Sequence, residues 1–172
     1  NNIIASTSTT AAVTAYLRNG LININNGNFQ HQTLAGTTDY QIYVNPSSGE
    51  QFSESVFSNM TLDGSRGVNI QAVPTAGSLS FGMLFENVQI TGGNNGDRRG
   101  IQLGAICADY SFKNVRMRGV GSPTNPPIAV SGGSNITFDG LICGSFATVA
   151  TIAIYVGVGA ATKGFALLNS QV

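Results

Sequence analysis

"FENVQI", Phe85–Ile90, decides the fold, because the chain writes the phrase repeatedly. "FSNMTL" stands at Phe57–Leu62, "FKNVRM" at Phe112–Met117, a looser "FQHQTL" at Phe29–Leu34 and "FDGLIC" at Phe138–Cys143. Their phenylalanines are separated by 28, 28, 27 and 26 residues, and a weaker copy, "LLNSQV", begins at Leu167, 29 residues further on. A period of this size marks a solenoid, in which each unit buries its apolar face against the next.

The content of the unit selects the kind of solenoid. After each copy of the phrase comes a Gly- and Asn-rich loop, then a second alternating strand: "YQIYV" (Tyr40–Val44), "GVNIQ" (Gly67–Gln71), "GIQLG" (Gly100–Gly104), "PIAV" (Pro127–Val130) and "AIYV" (Ala153–Val156). A third short strand, such as "SLSFGML" or "DYSF", leads back to the next phenylalanine. Alternation with period two dominates, and only "AAVTAYLRNG" offers a weak helical candidate. Three strands and about 27 residues per coil describe an all-β, right-handed parallel β-helix whose coils stack about 4.8 Å apart. Residues 1–20 read as a lead-in and residues 21–172 as the β-helix domain. Within the phrase, Phe, Val and Ile point inward, and Asn turns the bend. Asn59, Asn87 and Asn114 are expected to stack as a ladder of side-chain amides. His31 takes that place in an earlier coil and Gly140 in a later one. The only histidine is thereby read as a bend residue and not as a base.

Composition narrows the function. The 172 residues are 42% hydrophobic, enough for a core, but only 9% are charged. Eight basic and eight acidic side chains cancel, so the electrostatic footprint of a nucleic-acid binder is missing. The most apolar stretch, Ala147–Ala161, is interrupted by glycines, so no membrane insertion is expected. The opening "NNIIASTSTT" carries no basic-then-apolar signal pattern and reads as part of something longer. Cys107 and Cys143 are too few for a disulfide framework, and Cys143 occupies a core position equivalent to Leu62, Ile90 and Met117.

Stacked "F-x-N-V-x-I" coils, an Asn ladder and Gly/Asn-rich loops resemble the pectate-lyase-type β-helix. That group includes pectin and pectate lyases, polygalacturonases, alginate epimerases and bacteriophage tailspikes. The charge-poor, Thr/Ser/Asn/Gly-rich style is most similar to a phage tailspike or appendage protein. This resemblance implies a homotrimer that binds, and in some members cleaves, bacterial surface polysaccharide. It also implies a virion tail as the location, after assembly in the reducing host cytoplasm, where unpaired cysteines persist. A secreted bacterial protein is the alternative.

Outward columns hold the candidate sites. Gln30, Ser58, Glu86, Lys113 and Asp139 form one, in which the last three alternate in sign. Thr33, Thr61, Gln89, Arg116 and Ile142 form another. On the second strand, Tyr43, Asn69, Gln102, Ala129 and Tyr155 offer flat aromatic and amide faces suited to sugars, or equally to a neighbouring subunit. Charge gathers in the loops between first and second strands, at Asp63, Arg66, Asp97, Arg98, Arg99 and Arg118. Arg66 and Arg99 each precede a glycine that opens the second strand, so the two are expected to stack. Asp63 and Asp97 could supply the two carboxyl groups of a glycoside hydrolase, and Arg98 or Arg99 could neutralise a sugar carboxylate in a lyase. The competing reading pairs these charges with one another. No metal ligand set and no cofactor motif is found, nor the calcium-binding aspartates or the close Asp pair with His of the plant-cell-wall enzymes. The uncharged stretch Gly144–Thr162 points to contact with identical neighbours, most simply about a three-fold axis, the alternative being a monomer with unusually apolar loops. The three functions in play are a glycan-binding attachment domain, a polysaccharide hydrolase or lyase, and a structural stalk or trimerisation module.

Overall fold

The computed structural model describes residues 3–7, 13–31, 40–65, 68–92, 99–122, 125–144, 154–157 and 163–172. Every regular element among them is a β-strand, and every strand pairing is parallel. One sheet of six strands runs from Ile154–Val156 through Ile128–Val130, Arg99–Leu103, Val68–Ala72 and Tyr40–Val44 to Val13–Leu17. We call it the amide sheet. The other wraps the rest of each coil, and its central strands are Val56–Ser65, Leu79–Gly92, Cys107–Lys113, Ser134–Asp139 and Lys163–Leu168. Neighbouring strands in both come from successive repeats, which makes the chain a parallel β-solenoid, consistent with the right-handed β-helix that the repeat predicts.

In-register stacking explains the repeat. Phe57, Phe85, Phe112, Phe138 and Leu167 pair in series. The four phenylalanine rings lie 4.8, 5.0 and 4.6 Å apart at 7–8° to one another, so ring spacing follows coil spacing. Leu62, Ile90, Met117 and Cys143 form a second buried column, and Ile42, Ile70, Ile101 and Ile128 a third. Both cysteines are free and buried, as the core position of Cys143 suggested.

The bends explain the asparagines. Asn59, Asn87 and Asn114 have φ of 52–53°, a left-handed conformation that Asn and Gly tolerate best. Their side chains form the expected ladder. The Nδ2 of Asn87 donates to Oδ1 of Asn59 at 3.1 Å, and that of Asn114 to Asn87 at 3.2 Å. A second left-handed corner lies five residues earlier in each coil, at Glu54, Gly82, Asp109, Asn135 and Gly164, with φ of 51–68°. The wrapped sheet therefore has three flat stretches: a third-strand side, a Phe side between the two corners, and a Val–Ile side after the Asn bend.

The register corrects one repeat. "FQHQTL" is not a copy in phase, because Phe29 pairs with Leu62 and Ile24 pairs with Phe57. The bend residue of that coil is Asn26, φ 60°, and not His31, which ends the strand Gly27–His31. Accordingly Asn25 and Asn28 stand beside Ser58 and Thr61 in the two outward columns, Gln30 pairs with Asp63, and Thr33 lies outside the described residues. The sheets also begin ahead of Leu21: Ile3–Thr7 pairs with Gly27–His31, and Val13–Leu17 pairs with Tyr40–Val44.

Candidate functional site

The outer face of the amide sheet carries a continuous column, Tyr16–Tyr43–Gln71–Gln102–Ala129–Tyr155. Tyr16 and Tyr43 stack with centroids 5.3 Å apart, and Tyr40 stacks on Tyr43 at 4.7 Å. The Tyr43 hydroxyl accepts a hydrogen bond from Asn45 Nδ2. Partial burial, with Tyr40 and Tyr16 adding to it, raises the Tyr43 pKa, so the phenol stays protonated and remains a donor. One step down, Gln71 Nε2 donates to Gln102 Oε1 at 3.3 Å. Tyr155 is well exposed but is separated from Gln102 by the small, buried Ala129. The composite surface is three aromatic rings continued by the half-buried amide of Gln102, with Gln71 buried between Tyr43 and Gln102, and the column holds no charged side chain.

Asn69 does not belong to that column. Matching Gly67 with Gly100 places Asn69 beside Gln102, but the structure pairs Ile70 with Ile101 and Gln71 with Gln102. A slip of two residues keeps the outward face and changes the rung. Asn69 instead follows Gln41, and both are fully buried beneath the segments that enter the amide sheet. Asn69 Nδ2 donates to the Arg99 carbonyl at 3.2 Å, and Gln41 Nε2 donates to the Asp63 carbonyl. These two amides hold backbone and are not presented to a ligand. The same register places Arg99 opposite Val68.

Of the charged candidates, Asp97, Arg98 and Arg66 lie outside the described residues. Asp63 is partly buried on the Val–Ile side, in register with Thr91. Arg99 opens a strand of the amide sheet, and its Nη2 donates to Asn125 Oδ1 at 2.6 Å. Among the described residues, Asp63 and Arg99 form no ion pair or hydrogen bond with each other. The single ion pair there joins Arg18 and Glu50 at 2.9 Å, and Arg18 also donates to Ser47 Oγ. No three His, Cys, Asp or Glu side chains converge among the described residues as metal ligands would.

A second surface lies on an outward column that the sequence reveals without assigning it a ligand. On the Val–Ile side, Asn28, Thr61, Gln89, Arg116 and Ile142 form one outward column, and Asp63, Thr91, Arg118 and Gly144 the next. Asn87, Val88, Gln89, Asn114 and Arg116 line an open depression of about 260 Å³ beside the Asn ladder. The signal was present in "KNVRMR", three cations at alternate positions of one coil, interrupted at the bend. Tyr16 was also missed, because its alternating strand "VTAYL" lies in the segment read as a lead-in. No protein-family model, no curated protein and no solved structure matches the chain, so its functional surfaces are argued from its own geometry.

Proposed function

We propose that the chain is the glycan-binding rod of a phage tailspike-type protein, which attaches to bacterial surface polysaccharide as a homotrimer on the virion tail. The observation that carries the binding role is the uncharged column Tyr16–Tyr43–Gln71–Gln102 on a rigid sheet. Sugar rings stack their C–H faces on aromatic rings, and their hydroxyls bond to amides, so rings followed by amides suit a neutral saccharide laid along the rod. In-register pairing holds these side chains in place before any ligand arrives, which lowers the entropy lost on binding. Association is supported by exposed apolar side chains: Leu79 and Ile106 on the third-strand side, and Ile142, Leu168 and Val172 in the last coils. Attachment is preferred to cleavage because the column itself carries no carboxyl group to act as acid, base or nucleophile.

The test is a titration with repeat-unit oligosaccharides from bacterial surface polysaccharides, on protein whose solution mass is measured by light scattering. Binding to a trimer that weakens about tenfold, or about 1.4 kcal/mol, in both Tyr16→Ala and Tyr43→Ala is expected. A monomer at micromolar concentration would refute the trimer. Binding unchanged in both variants would refute the site.

A further inference from the structure

The Val–Ile side holds a group that the proposed glycan column does not use, and its chemistry differs. We infer that the depression beside the Asn ladder is an oxyanion site, built by Arg116 with Gln89 and the exposed edges of Asn87 and Asn114, with Arg118 beside it on the same strand face. It would take the carboxylate, sulfate or phosphate substituent of an acidic saccharide.

The argument begins with how a parallel solenoid distributes charge. In-register stacking sets each outward side chain directly between those of the adjoining coils. On the Phe side the chain provides compensation, since Lys113 sits between Glu86 above and Asp139 below. Across the Asn114 bend that compensation stops. Arg116 lies between Gln89 and Ile142, and Arg118 between Thr91 and Gly144. Neither arginine has an ion pair or a side-chain hydrogen bond among the described residues, and both are exposed. They stand two residues apart on one strand, so their Cα atoms are about 7 Å apart on the same face.

The surroundings match the charge. The depression is lined by three amide side chains and Arg116 over a Val88 floor, with no carboxylate in its lining. The ladder fixes the amides, because each Asn spends one N–H on the coil above. Asn87 and Asn114 thus keep a second N–H, and Gln89 keeps its own amide. A planar guanidinium can grip a carboxylate or sulfate through two parallel N–H bonds, and the amide N–H groups can meet the remaining oxygens. A second guanidinium one step along the strand extends the same field. This side is separate from the tyrosine column, so the two assignments stand or fall independently.

The test uses the full chain and four probes: a sulfated dextran oligosaccharide, its unsulfated counterpart, a hyaluronan oligosaccharide and inorganic sulfate. Affinity is read by titration, and the site by the NMR signals of the Asn87, Gln89 and Asn114 side-chain amides. The expected result is binding of at least one acidic oligosaccharide, weakened by added salt, with shifts at those three amides. Arg116→Gln should weaken it about tenfold and Arg116→Gln/Arg118→Gln should abolish it, while Lys113→Gln changes it less than about twofold. All three positions are exposed, so the variants should keep the wild-type unfolding midpoint. The assignment is overturned if neither acidic oligosaccharide binds, or if neutral dextran binds equally well. It is also overturned if inorganic sulfate alone binds as tightly as the oligosaccharides, or if Lys113→Gln matches Arg116→Gln.

Discussion

The two jobs of a ladder asparagine can be separated at Asn87. Its backbone sits at φ 53°, and its side chain makes one amide bond up and accepts one from below, at 3.1 and 3.2 Å. Both bonds are exposed, so each contributes at the low end of the usual range, about 0.5 kcal/mol. Asn87→Ala removes both and puts at φ 53° a residue without the short polar side chain that lets Asn tolerate the left-handed region, at about 1–2 kcal/mol. The expected loss is about 2–3 kcal/mol. Asn87→Gly removes the same two bonds but relieves the backbone, while adding about 0.4–1 kcal/mol of unfolded-state entropy. Its expected loss is about 1.5–2 kcal/mol. Glycine should therefore be the milder substitution, although it removes more atoms. Equilibrium urea unfolding reads the difference as a midpoint shift, with the slope unchanged if the exposed surface is the same. An Asn87→Ala variant as stable as Asn87→Gly, or more so, would refute the claim that the corner's backbone conformation selects its residue.

Two further outcomes follow from the same structure. Glu54 holds a left-handed corner, φ 51°, that its counterparts fill with Gly82, Asp109, Asn135 and Gly164, so Glu54→Asn should stabilise the fold by about 0.5–1 kcal/mol, read as a higher melting temperature; a lower one would contradict the corner rule. Burial pushes the thiols of Cys107 and Cys143 up to about 12 and about 11, so at pH 8 a disulfide reagent should label them only as fast as the fold opens. The sign with pH follows: the neutral thiols favour the folded state fully below the unfolded value of about 8.5, and that contribution is lost as pH rises toward 12. Rapid labelling of native protein at pH 8 would show that these thiols are not in the core.

Fold was legible because a parallel solenoid writes its packing rule into every coil. The spacing of Phe57, Phe85, Phe112 and Phe138 and the asparagine two residues after each of the first three announce stacked coils, and the structure places both in register. Phase was legible only where the bend residue was used as the marker. "FQHQTL" was matched by its phenylalanine, yet Phe29 stands three residues after Asn26, as Leu62 stands three after Asn59. Counted from the asparagine, that coil reads Ile24–Phe29. The second corner was also visible, as Gly, Asp or Asn three residues before Phe85, Phe112, Phe138 and Leu167. Glu54 hid it in the first of these coils. Site residues were less legible because alternation reveals a face but not a rung. Asn69 and Gln71 share the outer face of the amide sheet, and only the pairing of Gln71 with Gln102 shows which one extends the tyrosine column.

Column chemistry then accounts for how so little charge is deployed. A side chain on a parallel solenoid meets its adjoining-coil neighbours about 4.8 Å away along the backbone. Like charges cannot follow one another in a column without repulsion, and apolar or amide groups can do so indefinitely. The amide sheet uses that freedom to line up tyrosine and glutamine, and the third-strand side to line up half-buried Phe81 with Ala108. On the Phe and Val–Ile sides charge takes two forms. Around Lys113 it alternates in sign from coil to coil, so neighbouring charges offset one another without forming an ion pair among the described residues. At Arg116 and Arg118 it is interrupted by glutamine, threonine, isoleucine and glycine, residues that separate the cations from any partner without cancelling them. Stability alone would be served as well by a neutral residue at either position. An unneutralised pair of guanidinium groups on a rod otherwise sparing with charge is an arrangement for an anion that comes from outside the chain.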